Sequence, residues 1–174
     1  MKIIPVNSKT FGYHEILVDD ENFELVSKHK WHIVKGRETF YAKTNIIFNN
    51  KKTNISMHRL ILGLTDPKTL GDHKNHNGLD NQSDNIRCAT YAQNQANKTS
   101  HKNSSSKYLG VCLSKIKHKL KNGEIKIYYS WKSYININGK KKSLGYFKSE
   151  EEAAKKYDDS AKIHHREFTN LNFK

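Results

Sequence analysis

Residues 131–154 read WKSYININGKKKSLGYFKSEEEAA and contain the strongest secondary-structure signals in the second half of the chain. Hydrophobic and polar residues alternate through 131–137, which is typical of a β-strand with one buried face. The dipeptide Asn138-Gly139 favours a two-residue hairpin, so residues 143–147 are predicted to form the neighbouring strand. The buried face should carry Trp131, Ser133, Ile135 and Ile137, and the exposed face Lys132, Tyr134 and Asn136.

A helix is predicted directly after this hairpin. Ser149 and Glu152 have the spacing of a capping box, which marks a helix N-terminus. The face expected to pack on the sheet is small and apolar: Ala153, Ala154, Tyr157 and Ala161. Residues 108–113 read as an earlier strand of the same sheet. We therefore predict an α+β fold in this half, with a three-stranded antiparallel sheet packed on one helix.

The first half begins with strand-like runs separated by turns. Together they predict a β-meander with one short helix, in which Trp31 is a core residue. The predicted strands are 15–18, 31–34, 40–48 and 55–57, the helix is 21–28, and a turn falls at Asn49-Asn50.

Residues 63–98 are too polar to form a core on their own. Their centre, residues 71–87, reads GDHKNHNGLDNQSDNIR and has few aliphatic side chains. Such a segment needs a hydrogen-bond network or a metal ion to hold it. The Ser-rich stretch 99–107 is interpreted as a linker, which predicts a first domain of 1–98 and a second of 108–174.

Composition points to a polyanionic partner. The chain has 174 residues with 31 Lys plus Arg against 17 Asp plus Glu, a formal net charge of +14. Cations near phosphates release condensed counterions, so such an excess favours nucleic acid. No apolar run is long enough to span a membrane and no secretory signal is visible. Two cysteines without a Cys-x-x-Cys pair suit a reducing compartment, so we expect a cytoplasmic protein without a membrane partner.

The polar segment contains residues suited to phosphodiester hydrolysis. His73 has a side chain whose ordinary pKa of about 6.5 suits a general base. Neighbouring Asp72 should point to the opposite face of an extended segment, where it could bind a hard cation. Asn94 lies in a predicted helix over 90–98, and packing of that helix against the ribbon would bring its amide oxygen opposite Asp72. Mg²⁺ prefers such oxygen ligands and keeps several waters.

These residues resemble the HNH nucleases of phage and intron homing endonucleases, which have a ββα-metal fold. The matching pattern is Met57-His58-Arg59-Leu60-Ile61, Asp72-His73, Leu79-Asp80-Asn81, Asn85-Ile86-Arg87, Asn94 and Asn97, with a leader at Val18 to Glu21 and Lys30 to His32. The resemblance implies that Asp72 and Asn94 hold one Mg²⁺ or Mn²⁺ ion. It also implies that His73 is the general base and that Asn85 orients it. Asn94 stands where the nominal pattern has His.

Alternative interpretations stay open for several residues. His58 either contacts the scissile phosphate or is a structural residue at the edge of the core, which we favour. Arg87 either holds a DNA phosphate through its planar guanidinium or pairs with Asp84 or Asp80. The Asn-rich segment as a whole could also be a loop built from Asx turns without any catalytic role.

The second domain is predicted to hold DNA. Between Lys98 and Lys142 there are twelve lysines and one acidic residue, Glu124, interleaved with strands and aromatic residues. A solvated surface would explain a simple charge run, but a strand face of this composition suits a DNA groove. The residues expected to contact DNA are Lys115, Lys117, Lys132, Tyr134, Asn136, Lys140, Lys141 and Lys142.

This half resembles the ethylene-response-factor (AP-two/ERF) DNA-binding domain. The resemblance covers residues 108–173, through Tyr108 to Val111, Trp131, Leu144 to Phe147, Glu151 to Ala154, Tyr157-Asp158, Ala161 and Leu171 to Phe173. Cys112, Ser114 and Asn136 replace arginines that read bases in plant members. Residues 116–129 form a longer, Lys-rich insertion. The resemblance thus implies double-stranded DNA as partner, but a different target sequence.

The leading hypothesis is a site-selective DNA endonuclease of homing or phage type. In this hypothesis residues 1–98 cleave with one Mg²⁺ or Mn²⁺ ion and residues 108–173 hold the duplex, and the gene belongs to a phage or mobile element. The second hypothesis is a transcription-factor-like DNA-binding protein whose nuclease half is inactive. An RNA-binding protein comes third, because charge alone does not distinguish RNA from DNA. The sequence indicates no protein partner.

Overall fold

The computed structural model describes residues 1–48, 50–100 and 103–173. It has a mixed α+β fold with several small antiparallel sheets, as predicted. The chain divides into two units, residues 1–91 and residues 92–174. In the described part of the chain, no helix is both long and apolar enough to cross a membrane.

The first unit is built from short strands and two short helices. Strands β1 and β2 form a hairpin, β3, β4 and β5 form a meander, and β6 pairs with β7. The elements are β1 (Lys2–Ser8), β2 (Gly12–Val18), α1 (Asp20–Ser27), β3 (His32–Lys35), β4 (Phe40–Phe48), β5 (Lys51–Ser56), α2 (Met57–Ile61), β6 (Leu70–His73) and β7 (Ile86–Ala89).

The predicted meander and helix are confirmed, although β2 and β5 begin earlier than predicted. Met57 begins helix α2 and does not end a strand. The predicted turn at Asn49-Asn50 falls partly on Asn49, which lies outside the described residues. Trp31 is a core residue as expected, and its indole N–H donates to the carbonyl of Val26 at 2.8 Å. The rest of this core comes from two of the three sheets, both helices and the loop after β6: Ile16, Val18, Val26, Ile33, Ala42, Met57 and Leu79.

The ribbon of β6 and β7 carries the polar segment, and a loop of residues 74–85 joins its strands. Backbone hydrogen bonds tie this loop to β2: the Leu17 N–H donates to the Leu79 carbonyl, and the Asn81 N–H donates to the Leu17 carbonyl. Asp19, ahead of α1, accepts from the Ser83 N–H at 2.6 Å, and this bond lowers the pKa of its carboxyl. The loop has few apolar side chains, so hydrogen bonds to β2 and to Asp19 hold it in place.

The second unit contains a three-stranded sheet and one long helix. Its elements are α3 (Tyr91–Ala96, beginning at the division), β8 (Val111–Lys119), β9 (Ile125–Ile137), β10 (Lys140–Phe147), α4 (Glu150–His165) and a 3-10 turn (Arg166–Phe168). The sheet order is β10-β9-β8, with all pairs antiparallel. The predicted helix over 90–98 is shorter at both ends.

Local sequence signals explain this arrangement. Asn138 and Gly139 have φ angles of 50° and 76°, which the turn between β9 and β10 requires. The Ser149 hydroxyl accepts from the Glu152 N–H and caps α4. As predicted, α4 packs on one face of the sheet. Its core consists of Val111, Trp131, Ile135, Ile137, Ala153, Ala154, Tyr157 and Ala161.

The Ser-rich stretch 99–107, predicted as a linker, falls within the second of the two units. Ser106 is buried, and its hydroxyl donates to the Glu150 carboxylate at 2.6 Å. The Tyr108 N–H in turn donates to the Ser106 hydroxyl at 3.0 Å. Serine hydroxyls therefore link this stretch to the start of α4, and the division of the chain falls before it, between residues 91 and 92. His101 and Lys102 lie outside the described residues.

Candidate active site and nucleic-acid interface

Asp72 and Arg87 form a buried ion pair at the centre of the β6–β7 ribbon. They are direct cross-strand partners, and both the Nε and one terminal nitrogen of Arg87 approach Oδ2 of Asp72, at 2.9 and 2.8 Å. Their side chains are 6% and 12% exposed. Arg87, predicted to bind phosphate or to pair with Asp80 or Asp84, forms its ion pair with Asp72. The antiparallel register of β6 and β7 places Asp72 and Arg87 directly opposite one another.

His73 ends β6 and is buried among aromatic rings. Its ring lies 4.7 Å from that of His58, nearly perpendicular to it, and 5.8 Å from that of Tyr41. Burial lowers the pKa of His73, while the amide of Asn81 and the carboxylates of Asp72 and Asp80 partly oppose this shift. The imidazole is therefore neutral at physiological pH, which is the state required of a proton acceptor.

Asn81 sets the orientation of His73. It is fully buried, and its Oδ1 lies 3.4 Å from His73 Nε2. This contact favours a proton on Nε2 and a basic lone pair on Nδ1. The Nδ2 of Asn81 has no hydrogen-bond partner in the described structure. Asn81 is part of the Leu79-Asp80-Asn81 motif, but the motif alone does not indicate that its side chain turns inward, so sequence patterns did not predict its role.

His58 is buried as well and lies against β6. The Cα of Gly71 is so close that a side chain there would overlap the His58 ring. Burial, helped by the neighbouring His73, lowers the pKa of His58 to about 3. The nearby Tyr41 hydroxyl has a raised pKa, through burial first and the Asp72 carboxylate second. A neutral, 7% exposed His58 fits the structural role better than a phosphate contact.

Asn85 braces the loop between the two strands. Its Oδ1 accepts from the Asn75 N–H at 3.0 Å, and its Nδ2 donates to the Asp80 carbonyl at 2.7 Å. Asx turns at Asn75 and Asn77 shape the same loop, since their Oδ1 atoms accept from backbone N–H groups two residues ahead. The predicted orienting residue and the predicted Asx turns are thus both present in one loop.

The oxygen donors suit a hard divalent cation. Asp72 offers a carboxylate in the first unit, and Asn94 offers an amide oxygen from α3 in the second unit, where its side chain is half-buried. Mg²⁺ accepts one or two protein oxygens and keeps its remaining waters. No group of three His, Cys, Asp or Glu side chains in residues 1–48, 50–100 and 103–173 is arranged to hold a metal ion. An ion shared by Asp72 and Asn94 stays a prediction.

The second unit presents a face of cations and aromatic rings, which we call the outer face. It is the side of the sheet opposite α4, and it carries Lys132, Tyr134, Asn136, Lys141 and Tyr146. The Lys141 ammonium lies 3.5 Å from the centre of the Tyr134 ring, and that of Lys132 lies 5.6 Å from the Tyr146 ring. Such stacked cations remain available to phosphates in front of the sheet.

The register separates the eight predicted DNA contacts into two groups. Lys132, Tyr134, Asn136 and Lys141 share the outer face. Lys140 and Lys142 are exposed but pair with Ile137 and Ile135, which point towards α4. The same alternation puts Lys115 and Lys117 on the α4 side of β8, with Val111. Three adjacent lysines in the sequence therefore do not form one patch.

Comparisons of this chain with protein-family models, with curated proteins and with solved structures find no match. The chemistry of two sites therefore indicates function: a buried neutral histidine and a buried carboxylate in the first unit, and a lysine and tyrosine face in the second.

Proposed function

We propose that this protein is a metal-dependent DNA endonuclease. The observation that carries the proposal is His73, a buried imidazole with a lowered pKa, which follows Asp72 in the chain and is oriented by a buried amide. A site for phosphodiester hydrolysis needs a neutral base, a way to stabilise added negative charge, and a duplex held in place. The two units supply candidates for each need.

His73 is the proposed general base. With its proton on Nε2 towards Asn81, Nδ1 takes a proton from the attacking water. Because the pKa of His73 is lowered, Nδ1 stays unprotonated at pH values where an ordinary histidine would already carry a second proton. Asn85 fixes the loop that follows His73, because it bridges the backbone at residues 75 and 80. Both amides are positioning residues, since they act through the imidazole and the loop.

Asp72 and Asn94 are the proposed ligands of one Mg²⁺ or Mn²⁺ ion. When bound, such an ion stabilises the charge that develops on the phosphate and on the leaving oxygen. Arg87 holds the Asp72 carboxylate in a fixed orientation through two hydrogen bonds to the same oxygen. The pair thereby presents an oriented carboxylate on the residue that precedes His73.

The outer face of the second unit is the proposed duplex-binding surface. Its lysines would contact phosphates, and Asn136, which is exposed, is the candidate for contacting base edges. The net charge of +14 supports a polyanionic partner. Binding of this kind weakens steeply with salt, because each phosphate contact releases counterions.

Supercoiled plasmid incubated with the protein and Mg²⁺ tests this proposal. We expect nicked or linear product with Mg²⁺ or Mn²⁺, and none with EDTA. His73→Ala should remove cleavage, while His32→Ala, which alters an exposed histidine of the same unit, should cleave like the wild type. Equal cleavage by the His73→Ala variant would refute the assigned base.

A second candidate function is DNA binding without cleavage. The observation that favours it is the Asp72–Arg87 pair, which gives the carboxylate a structural partner in the buried ribbon. In that case no divalent ion would produce cleavage by the wild type, but a labelled duplex would still bind with steep salt dependence. Cleavage that EDTA and His73→Ala both abolish rejects this candidate.

A further inference from the structure

Strands β8 and β9 continue past the three-stranded sheet as a two-stranded ribbon. Strand β10 pairs with β9 only between Trp131 and Ile137, whereas β8 and β9 remain paired out to Lys119 and Ile125. A turn closes the end, where the Leu120 N–H donates to the Glu124 carbonyl at 2.7 Å. We call residues 114–130 the ribbon arm. At about 3.3 Å per residue, its paired strands extend for roughly 20 Å.

The ribbon arm is apolar at its surface without contributing to the core. None of its residues takes part in the clusters that α4 makes with the sheet. Its large apolar side chains are about half exposed: Ile116, Ile125, Ile127, Tyr128 and Tyr129. A two-stranded hairpin alone is only marginally stable in water, so exposed isoleucines and tyrosines on both of its faces indicate a surface that a partner covers.

The charge of the ribbon arm identifies the kind of partner. It carries five lysines, at positions 115, 117, 119, 121 and 126, against the single acid Glu124. Within the described residues, no ion pair involves any of these lysines. Three of them stand directly across from apolar residues, in the pairs Lys115–Tyr129, Lys117–Ile127 and Lys119–Ile125. One face thus has a cationic row beside an apolar row.

Two simpler explanations account for only part of this pattern. Lysines on an edge strand prevent sheets from pairing with one another, which would explain Lys115, Lys117 and Lys119. It would not explain the apolar row opposite them on β9. An extended core is excluded, because the exposed fractions are 60% for Ile125 and 62% for Tyr129. A row of cations next to aromatic and aliphatic groups fits phosphates beside the sugars and bases of a groove.

We infer that the ribbon arm is a second, sequence-independent contact with duplex DNA, separate from the outer face, because its cationic row lies on the opposite side of the sheet, outside the part that packs against α4. The inference rests on the proposed DNA binding of the second unit. The other side of the arm continues the outer face without interruption, from Cys112 and Lys132 to His118 and Lys126. An arm of about 20 Å spans roughly six base pairs at 3.4 Å each. Its lysines contact phosphates, and its tyrosines and isoleucines cover sugars and groove edges.

The experiment uses the full chain, a fluorescein-labelled 40-base-pair duplex of mixed sequence, and three variants. The first replaces residues 115–129 by Asn-Gly, which joins Ser114 to its cross-strand partner Ser130. The second, Lys115→Gln/Lys117→Gln/Lys119→Gln, leaves the backbone intact. The matched control, Lys155→Gln/Lys156→Gln/Lys162→Gln, removes three exposed lysines from helix α4 instead of from the arm. Binding is titrated from 50 to 300 mM salt, and thermal unfolding checks each fold.

We expect the truncated variant to occlude about six base pairs fewer on the duplex. Its slope of log affinity against log salt should fall in magnitude by about four, and that of the arm triple variant by about two to three, at roughly 0.9 per lost phosphate contact. The α4 triple control should change the slope by less than about 0.5.

Unchanged slope and site size in both arm variants would overturn the inference while leaving DNA binding by the outer face intact. A wild type that does not bind the duplex at all would instead reject the proposed function and the arm with it. If the α4 control changed the slope as much as the arm triple variant, the effect would be general charge and the inference would also fail.

Discussion

The pocket around His73 and the outer face of the second unit handle charge in opposite ways. In the pocket, two imidazoles are held neutral by burial and the Asp72 carboxylate is paired with Arg87. On the outer face, lysines stand over tyrosine rings, with Lys132 half-buried and Lys141 exposed to solvent. Burial in the pocket sets the protonation state and geometry of the two histidines, as proton transfer requires. On the outer face, the lysine charges remain within reach of a polyanion. The contrast predicts that substitutions in the pocket alter stability and rate, and that substitutions on the face alter salt dependence.

The largest effect is expected from breaking the buried ion pair. Asp72→Ala leaves the Arg87 guanidinium buried without its carboxylate, which should lower the free energy of unfolding by about 3–5 kcal/mol. The double variant Asp72→Leu/Arg87→Met should regain most of that stability but not cleavage. Urea denaturation measures both. A single variant as stable as the wild type would show that the pair is not desolvated.

Acid should weaken the fold through His58. Its pKa is about 3 in the folded state and about 6.5 in the unfolded state, so the unfolded chain binds the extra proton as the pH falls. Stability is therefore complete above pH 6.5 and declines between pH 6.5 and 3, by at most about 1.4 kcal/mol per pH unit. His73, whose pKa is also lowered, adds in the same direction.

Denaturation curves at pH 7.0, 5.5 and 4.5 measure this decline. His58→Gln should flatten the acid side of the profile, whereas substitution of the exposed His32 should leave it unchanged. An acid profile that is identical in the wild type and the His58→Gln variant would mean that His58 titrates normally and that the pocket is wetter than its packing implies.

A smaller effect is expected at Asn81. Asn81→Ala removes the acceptor opposite His73 Nε2, and one hydrogen bond of this kind is worth about 1 kcal/mol. We expect cleavage to slow about tenfold with DNA affinity unchanged. The pH dependence of cleavage should shift as well, because the amide raises the pKa of His73. Asn54→Ala, on an exposed strand, is the control; equal rates in both variants would remove the positioning role.

The smallest effect separates two neighbouring lysines. Lys141 lies on the outer face over Tyr134, whereas Lys142 pairs with Ile135 on the side of α4. Lys141→Gln should reduce the salt slope of duplex binding by about 0.9, and Lys142→Gln by much less. Equal effects of the two substitutions would contradict the assignment of the outer face.

Local signals predicted much of the fold from the sequence. The alternation in residues 131–137, the Asn138-Gly139 turn and the Ser149 cap each depend on neighbouring residues only, and the structure contains all three. The Ser-rich stretch was different. Its composition is that of a linker, but a buried Ser106 bonded to Glu150 depends on a contact 44 residues away.

The candidate site was predictable as a set of residue types but not as a set of contacts. Nothing in the sequence near Asp72 indicates Arg87 as its partner, because the pairing depends on the register of β6 and β7. Similarly, Asn81 turns inward because its backbone is tied to Leu17 on another strand. Patterns in a single sequence do not contain this long-range register. The register of β9 and β10 also places Lys141 on a different face of the sheet from Lys140 and Lys142.

The central claim is that His73 takes the proton in the cleavage step, and single-turnover cleavage of bound duplex with Mg²⁺ measures it most directly. At protein concentrations that saturate the DNA, His73→Ala should cleave at least about 10²-fold more slowly than the wild type, while binding the same duplex with unchanged affinity and salt slope. A variant that binds equally and cleaves at the wild-type rate would contradict the account.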